Sequence, residues 1–328
     1  MKLDNIDLKI LEELEKDARK PLTEIAKALR TSQQNISYHL SILEKNSIIK
    51  QYYTVINLRK LGYTVYRTLF RLSNINQQKH KEIINFLMKY ENVLWLVDVG
   101  GRADLLVNFV AKDVFDYSRL LDRFKNKFAK QIQNYEVLTI VELHYVGRSY
   151  LSNQKQDNFL VNKDGKKYEL DSLDTKILNL LSEDARINAA DIAYQLKVSP
   201  NTIVLRIKKL KENGVIINFK PLIDLSKLNY SDHKALIKFQ NITDEKEKEL
   251  IDFLKNEACV IGAIKLMGSW DFEIEFEVKN RLELRDFIGR VRDKFSNIIK
   301  EFELLDLFQE YKYNFFPKDL LEMDKVQK

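Results

Sequence analysis

Leu3-Asp4-Asn5-Ile6-Asp7-Leu8-Lys9-Ile10-Leu11 returns as Leu170-Asp171-Ser172-Leu173-Asp174-Thr175-Lys176-Ile177-Leu178, and Asp17-Ala18-Arg19 returns as Asp184-Ala185-Arg186. The offset is 167 in both cases, and no gap is needed to keep it. Between Leu3–Tyr63 and Leu170–Tyr230, 23 of 61 positions are identical. The same offset later sets Gly101-Arg102-Ala103-Asp104 against Gly268-Ser269-Trp270-Asp271. A solenoid unit runs to roughly 20–50 residues. A period of this length describes a module able to fold alone, present as a pair.

Within each copy the opening 60 residues read as three helices and a strand. Ile6, Ile10, Leu11 and Leu14 fall at helical spacing behind Asp4, a natural N-cap. Pro21 interrupts the chain, and Ile25, Ala26 and Leu29 mark a short second helix. Thr31-Ser32 opens a third, with Ile36, Leu40 and Leu43 inward. Ile48–Ile56 is β-rich. The second copy has Ser199 as N-cap, Pro200 at the first helical position and Asn213-Gly214 as a stop. Three helices with a tight turn before the third, then a β-wing, describe a winged helix-turn-helix. In that layout the third helix enters a major groove and its outer face carries polar groups that reach base edges. The expected DNA-contacting residues are Ser32, Gln33, Gln34, Asn35, Ser37, Tyr38, His39 and Ser41 in copy one. Copy two offers Ser199, Asn201, Thr202, Arg206, Lys208 and Lys209, with Val204 and Leu205 close to the same face.

From Tyr63 the pattern is βαββαβ: alternating strands at 65–72, 93–99, 105–110 and 131–145, with helices at 77–90 and 115–128. Copy two repeats it. This grammar predicts a ferredoxin-like sandwich whose helices cover one sheet face, leaving an apolar face that the other copy can cover. The fold class expected is α+β, as two tandem copies of a winged helix followed by a ferredoxin-like domain. The boundaries expected are 1–60, 61–147, a solvated linker at 148–169, 170–228, 229–317, and a tail at 318–328. A linker of that length could span up to ~80 Å, enough to pair the two sheets within one chain as a pseudo-twofold dimer.

Composition narrows the function classes. The formal net charge is +6. Residues 1–150 hold 24 basic and 17 acidic side chains and the remainder 30 and 31, so the basic excess belongs to copy one. A basic excess suits a polyanionic partner. One cysteine, Cys259, excludes a disulfide framework and fits a reducing compartment. The absence of a long apolar run and of an apolar leader leads to the expectation of a cytoplasmic chain with no membrane contact. The four histidines, His39, His80, His144 and His233, show no i+3 or i+4 pairing, and no Gly-rich phosphate loop or nucleophile elbow occurs. No metal and no cofactor are expected.

The order of parts resembles the Lrp/AsnC family of feast/famine transcriptional regulators. The resemblance rests on Leu3-Asp4, Asp7, Ile10-Leu11, Asp17-Ala18-Arg19, Ile25-Ala26, Ser32, Leu43, Leu61-Gly62-Tyr63 and Gly101 with Asp104. Their counterparts recur in copy two, together with Ser199-Pro200, Arg206, Leu210 and Gly214-Val215-Ile216. It implies operator binding by the winged helices, and dimerisation and further assembly by the ferredoxin-like domains. It also implies an amino acid or other small effector near the hairpin turns Gly101, Arg102, Asp104 and Gly268, Ser269, Asp271. Two other readings stay open. Siroheme decarboxylases look like fused or paired chains of this type, with a His-Asn-Tyr-x-Arg stretch leading into the central strands. Here that stretch is Leu94–Asp98 and Ile261–Lys265, without histidine. The third reading is a protein-interaction adaptor whose winged helices have degenerated.

Overall fold

A computed structural model describes residues 3–151, 159–161, 166–314 and 316. The first head comprises α1 (Asn5–Lys16), α2 (Leu22–Leu29), α3 (Gln33–Lys45) and β1 (Ile49–Ile56). A capping box opens α1: the Asp4 carboxylate accepts from the Asp7 amide at 2.9 Å, and the Asp7 carboxylate accepts from the Asp4 amide at 3.0 Å. Ile10, Leu11, Leu14, Ile25, Ile36 and Leu43 are sealed from solvent and form the core of this head. Each such side chain contributes about 1.5–3 kcal/mol on burial.

The ferredoxin-like part follows as β2 (Thr64–Leu72), α4 (Gln77–Met88), β3 (Val93–Gly100), β4 (Leu105–Ala111), α5 (Val114–Phe128) and β5 (Ile132–Tyr145). A short strand, β6 (Phe159–Val161), comes next. The second head is α6 (Ser172–Glu183), α7 (Ala189–Leu196), α8 (Pro200–Glu212) and β7 (Ile216–Ile223). It leads into β8 (Ser231–Phe239), α9 (Asp244–Leu254), β9 (Val260–Met267), β10 (Phe272–Val278), α10 (Arg281–Phe295) and β11 (Ile299–Tyr313). The βαββαβ order is thus present twice.

Strands of the two halves pair in the ribbon and in the barrel. β1 and β7 pair antiparallel as a two-stranded ribbon, with Tyr53 opposite Lys220. These two residues stand at equivalent positions of the repeat, so the local twofold runs through their pairing. Below the ribbon the two sheets close on each other in the order β2-β4-β3-β11-β8-β10-β9-β5, and β5 returns to β2. The seams are reciprocal: Gly100 faces Asp306 across β3 and β11, and Met267 faces Thr139 across β9 and β5. Closure leaves no free long edge among these eight strands, which removes the usual route to edge-to-edge aggregation. The expected intrachain pairing of sheets is therefore present, as edge pairing that closes a barrel.

Two expectations need correction. The interior that the sheets enclose is not a plain apolar face. Arg67 Nε donates to Asn108 Oδ1 at 3.0 Å, Arg67 pairs with Glu273, and Lys234 Nζ lies 2.9 Å from Glu273. Arg67, Lys234 and Glu273 are fully or nearly fully buried, and their mutual attraction offsets the cost of taking them out of water. Nor is 148–169 wholly a solvated linker. Arg148 and Leu151 are buried, β6 pairs with β5, and the Phe159 ring stacks on Tyr145 at 4.7 Å. The rest of that stretch, 152–158 and 162–165, and the tail at 318–328 lie outside the described residues.

Candidate nucleic-acid interface

The heads are locked by a reciprocal clasp built from the repeated Asp-Ala-Arg. Arg19 Nη1 donates to the carbonyls of Ala185 (2.6 Å) and Ile187 (2.8 Å), and Arg186 Nη1 donates to the Ala18 carbonyl. The backbone amides join in, Ala18 to Phe219 O at 2.9 Å and Ala185 to Tyr52 O at 3.1 Å. Each guanidinium also lies over an aromatic ring of the ribbon, Arg19 over Phe219 and Arg186 over Tyr52. The clasp ties the two heads together and with them the placement of α3 relative to α8. The recurrence of Asp-Ala-Arg was the available signal for it.

On α3, Ser32 is spent on capping: its hydroxyl accepts from the Asn35 amide at 3.1 Å, while Asn35 Nδ2 donates to Thr31 Oγ1. Gln33, Gln34, Ser37, Tyr38 and Ser41 are exposed together on the outer face, and Tyr38 keeps 63% of its surface. The Ser41 hydroxyl donates back to the Tyr38 carbonyl. His39 turns the other way. Its Nδ1 lies 2.8 Å from Asp7 Oδ1, tying α3 to α1.

The second head repeats this geometry with different chemistry. Ser199 caps α8 through the Thr202 amide at 3.1 Å, Thr202 Oγ1 meets Ser199 Oγ at 2.8 Å, and Asn201, Lys208 and Lys209 are exposed. Arg206 stands where His39 stands in head one, and pairs with Asp171 and with Asp174 Oδ1 at 3.1 Å. The hydrogen bond to Asp171 holds its pKa above the ordinary arginine value. His39 and Arg206 are thus placed as clamps within their heads, not as groups reaching outward. The polar outer face also changes, because Val204 (52% exposed) and Leu205 (57%) occupy the positions of Ser37 and Tyr38.

Asp4, Asp7 and His39 bring ligand atoms within 4.8 Å of one another, a spacing a metal ion could use. The equivalent trio of head two is Asp171, Asp174 and Arg206, where the guanidinium itself supplies the positive charge. Asp4 is also engaged as the helix cap. The trio therefore reads as the helix clamp in both heads.

The hairpin turns sit at the two seams. Asp104 Oδ2 accepts from the Leu72 amide at 2.7 Å, and Asp271 Oδ2 from the Phe239 amide at 2.8 Å. Arg71 and Lys238 complete each carboxylate's partners. Gly101 and Gly268 adopt φ of +110° and +149° beside the carbonyls of Leu304 and Val137. Arg102 pairs with Glu136, whose other oxygen accepts from Ser269 Oγ at 2.7 Å, and lies 4.9 Å from the Trp270 ring centre. Glu136 so brings residues of both turns together. The Trp270 indole Nε1 is buried without a hydrogen-bond partner among the described residues.

Comparison with known proteins follows this division into parts. Residues 170–211 match the AsnC-type helix-turn-helix domain, and residues 3–50 match a winged helix-turn-helix DNA-binding domain. The HTH-type transcriptional regulator FL11 of Pyrococcus furiosus is 31% identical over 120 residues, 37% of this chain and 78% of the regulator. A second HTH-type transcriptional regulator of that organism is 34% identical over 124 residues, 38% of this chain and 82% of its own. The chain belongs to the Lrp/AsnC family of transcriptional regulators. Over nearly its whole length, 99% of both chains, its fold is similar to that of the siroheme decarboxylase NirDL, with a TM-score of 0.62 at 15% identity. For this Lrp/AsnC chain that likeness describes the architecture of two heads on one barrel. No helix among its described residues is long and apolar enough to cross a membrane.

Proposed function

We propose that this chain reads operator DNA as a covalent dimer with two unlike heads, the first supplying most of the base recognition. The observation that carries this reading is the outer face of α3, where Gln33, Gln34, Ser37, Tyr38 and Ser41 are exposed side by side. Gln can bond bidentately to adenine, and Ser to several base edges. Ser32 and Asn35 order the helix start, where backbone amides suit a phosphate. In head two, Asn201, Lys208 and Lys209 supply a base-edge group and backbone contacts, while Val204 and Leu205 fit against thymine methyl groups. Two different readers held at fixed spacing favour an asymmetric pair of half-sites.

An amino-acid effector at the seams enters this reading as a modulator. The buried Nε1 of Trp270, a donor without a partner among the described residues and beside the Arg102–Glu136–Ser269 link, supports a carboxylate-bearing ligand at that turn. The decarboxylase reading draws support from fold alone. None of His39, His80, His144 and His233 lines the cavities inside the barrel, and the acid-rich interior is unsuited to a polycarboxylated tetrapyrrole.

The test is selection of bound duplexes from a random library, followed by titration of the selected site at several salt concentrations. Gln34→Ala with Ser37→Ala should lower affinity for the selected site by roughly thirtyfold or more, at about 1–3 kcal/mol for each of the two lost base contacts. Affinity for unrelated DNA and the salt slope should hardly change. Equal losses on both DNAs would overturn base reading by α3.

A further inference from the structure

Between the ribbon and the floor of the barrel lies a chamber of about 310 Å³, continuous in its lining with an inner cavity of about 110 Å³ through Tyr53, Trp95, Tyr145, Glu275 and Tyr313. The larger volume is at the small end of what ligand sites use, roughly 300–1,000 Å³. Its walls combine those phenols and the indole with Asp232, Glu277 and Arg148. It belongs to neither hairpin turn and to neither DNA-facing helix.

The charges around it do not balance. On the inward face of β8 and β10 stand Asp232, Lys234, Glu273, Glu275 and Glu277, at alternate positions of the two strands. In copy one the positions of the three glutamates hold Leu106, Asn108 and Val110, so this acidic ladder exists once per chain. Glu273 is met by Arg67 and Lys234, and Glu275 by Lys234. Arg148 spans Glu277 (2.8 Å) and Glu15 (3.3 Å), and Lys220 lies 3.9 Å from Glu15. Among the described residues Asp232 is left without a cation within ion-pair distance. It stands directly opposite Glu277 in the strand register, an unfavourable like-charge neighbour. Its Oδ1 is closed off from solvent and has no hydrogen-bond partner among the described residues. Burial, with Glu275 close by, raises its pKa well above the ordinary aspartate value, as expected for a carboxylate that lacks a counter-ion.

We propose that this chamber is a binding site for a small organic cation, a primary amine or guanidinium on a short chain, whose charged end pairs with Asp232. Asp232, whose carboxyl has no ion-pair partner among the described residues, supplies the negative charge by giving up its proton as the ligand's cation arrives. The rings of Tyr53, Trp95, Tyr145 and Tyr313 line the space a short aliphatic chain would fill, and they favour an organic cation over a strongly hydrated metal ion. Trp95 already receives Lys234 at 4.9 Å and Arg67 at 5.6 Å, so the chamber holds cationic groups of the protein itself beside its indole. Lys50 and Tyr53 of β1 and Leu222 and Ile223 of β7 form part of the wall. A bound ligand would therefore touch both strands that carry the heads.

The inference is independent of DNA reading and is tested without DNA. The full chain is titrated calorimetrically with agmatine and with putrescine, with potassium chloride and 1,4-butanediol as controls. Binding of at least one amine at millimolar or lower concentration, and of neither control, is expected. Asp232→Asn should weaken that binding at least about tenfold, the scale of one charge-assisted hydrogen bond. Asn keeps the shape of this side chain and removes the cost of its raised pKa, so the melting temperature of the variant should not fall and lost binding is separable from unfolding. Leu222→Trp, which narrows the chamber while leaving every charge in place, should also weaken binding. Absence of amine binding, an equal response to potassium, or unchanged affinity in Asp232→Asn would each overturn the proposal.

Discussion

Arg19 and Arg186 each reach across the local twofold to the other's Asp-Ala-Arg turn, and they do so unequally: Arg19 bonds two carbonyls and Arg186 one. A buried carbonyl that loses its donor costs about 1–3 kcal/mol. Arg19→Ala should therefore lower the urea midpoint more than Arg186→Ala does. Because both arginines hold one clasp, the double variant should lose less than the two single losses added together. Equal single losses that add fully would show the two contacts to be independent.

Much of this arrangement was legible in the sequence because its cause is local and periodic. The helices follow apolar spacing around Ile10, Leu14, Ile36 and Leu43, and the repeat pairs every element with a twin. The closure of the sheets into one barrel was only half visible. Alternation predicts which residues face inward, but not that β3 would meet β11 edge to edge. The buried charges were not legible at all, because Arg67, Lys234 and Glu273 look like surface residues until strands from both halves surround them. The pairings of His39 and Arg206 were hidden for a related reason. Helical spacing alone puts both at the flank of the DNA face, and only the placement of α1 and α6 turns them toward Asp7 and Asp174.

The clamp reading of those two residues separates stability from recognition. Arg206→Ala leaves Asp174, which is buried, without its cation, and should destabilise head two by roughly 1–3 kcal/mol. His39→Ala should do the same in head one, more mildly, because a single hydrogen bond is lost. In both variants the preferred DNA sequence should stay the same when selection is repeated at low temperature. A changed base preference would return these residues to the reading face.

The hairpin glycines make a graded prediction. A Cβ at Gly101 would stand 2.7 Å from Leu304 O, and one at Gly268 2.8 Å from Val137 O, in both cases against backbone that cannot turn aside. Gly214 also has positive φ (+67°), but a Cβ there meets nothing within 4 Å. Gly214→Ala should cost only the left-handed backbone penalty, about 1–2 kcal/mol. Gly101→Ala and Gly268→Ala should add seam disruption to that penalty and lower the melting temperature further. Thermal unfolding of the three variants orders them, and a Gly101→Ala chain as stable as Gly214→Ala would contradict the packed seam.

Asp232 gives a dependence on pH whose sign follows from its surroundings. Its folded pKa is raised from the ordinary 3.8 by burial, then by Glu275 and Glu277, against the opposing pull of Lys234 and Arg148. Between the unfolded and folded values the unfolded chain has released this proton and the folded chain still holds it. The folded state then binds more protons, so this group's contribution to stability falls as pH rises above about 4. Below that pH both states are protonated and the penalty is absent. Asp232→Asn, which keeps the shape and removes the charge, should raise the melting temperature at pH 7 and have progressively less effect as pH approaches 4. Glu273 is shifted the other way by Arg67 and Lys234, after the opposing effect of burial, so its stabilising ion pairs are lost as pH falls through its lowered pKa. Comparing wild type and Asp232→Asn at each pH cancels most of that background. A variant less stable than wild type at pH 7 would show that Asp232 is held by a partner of its own.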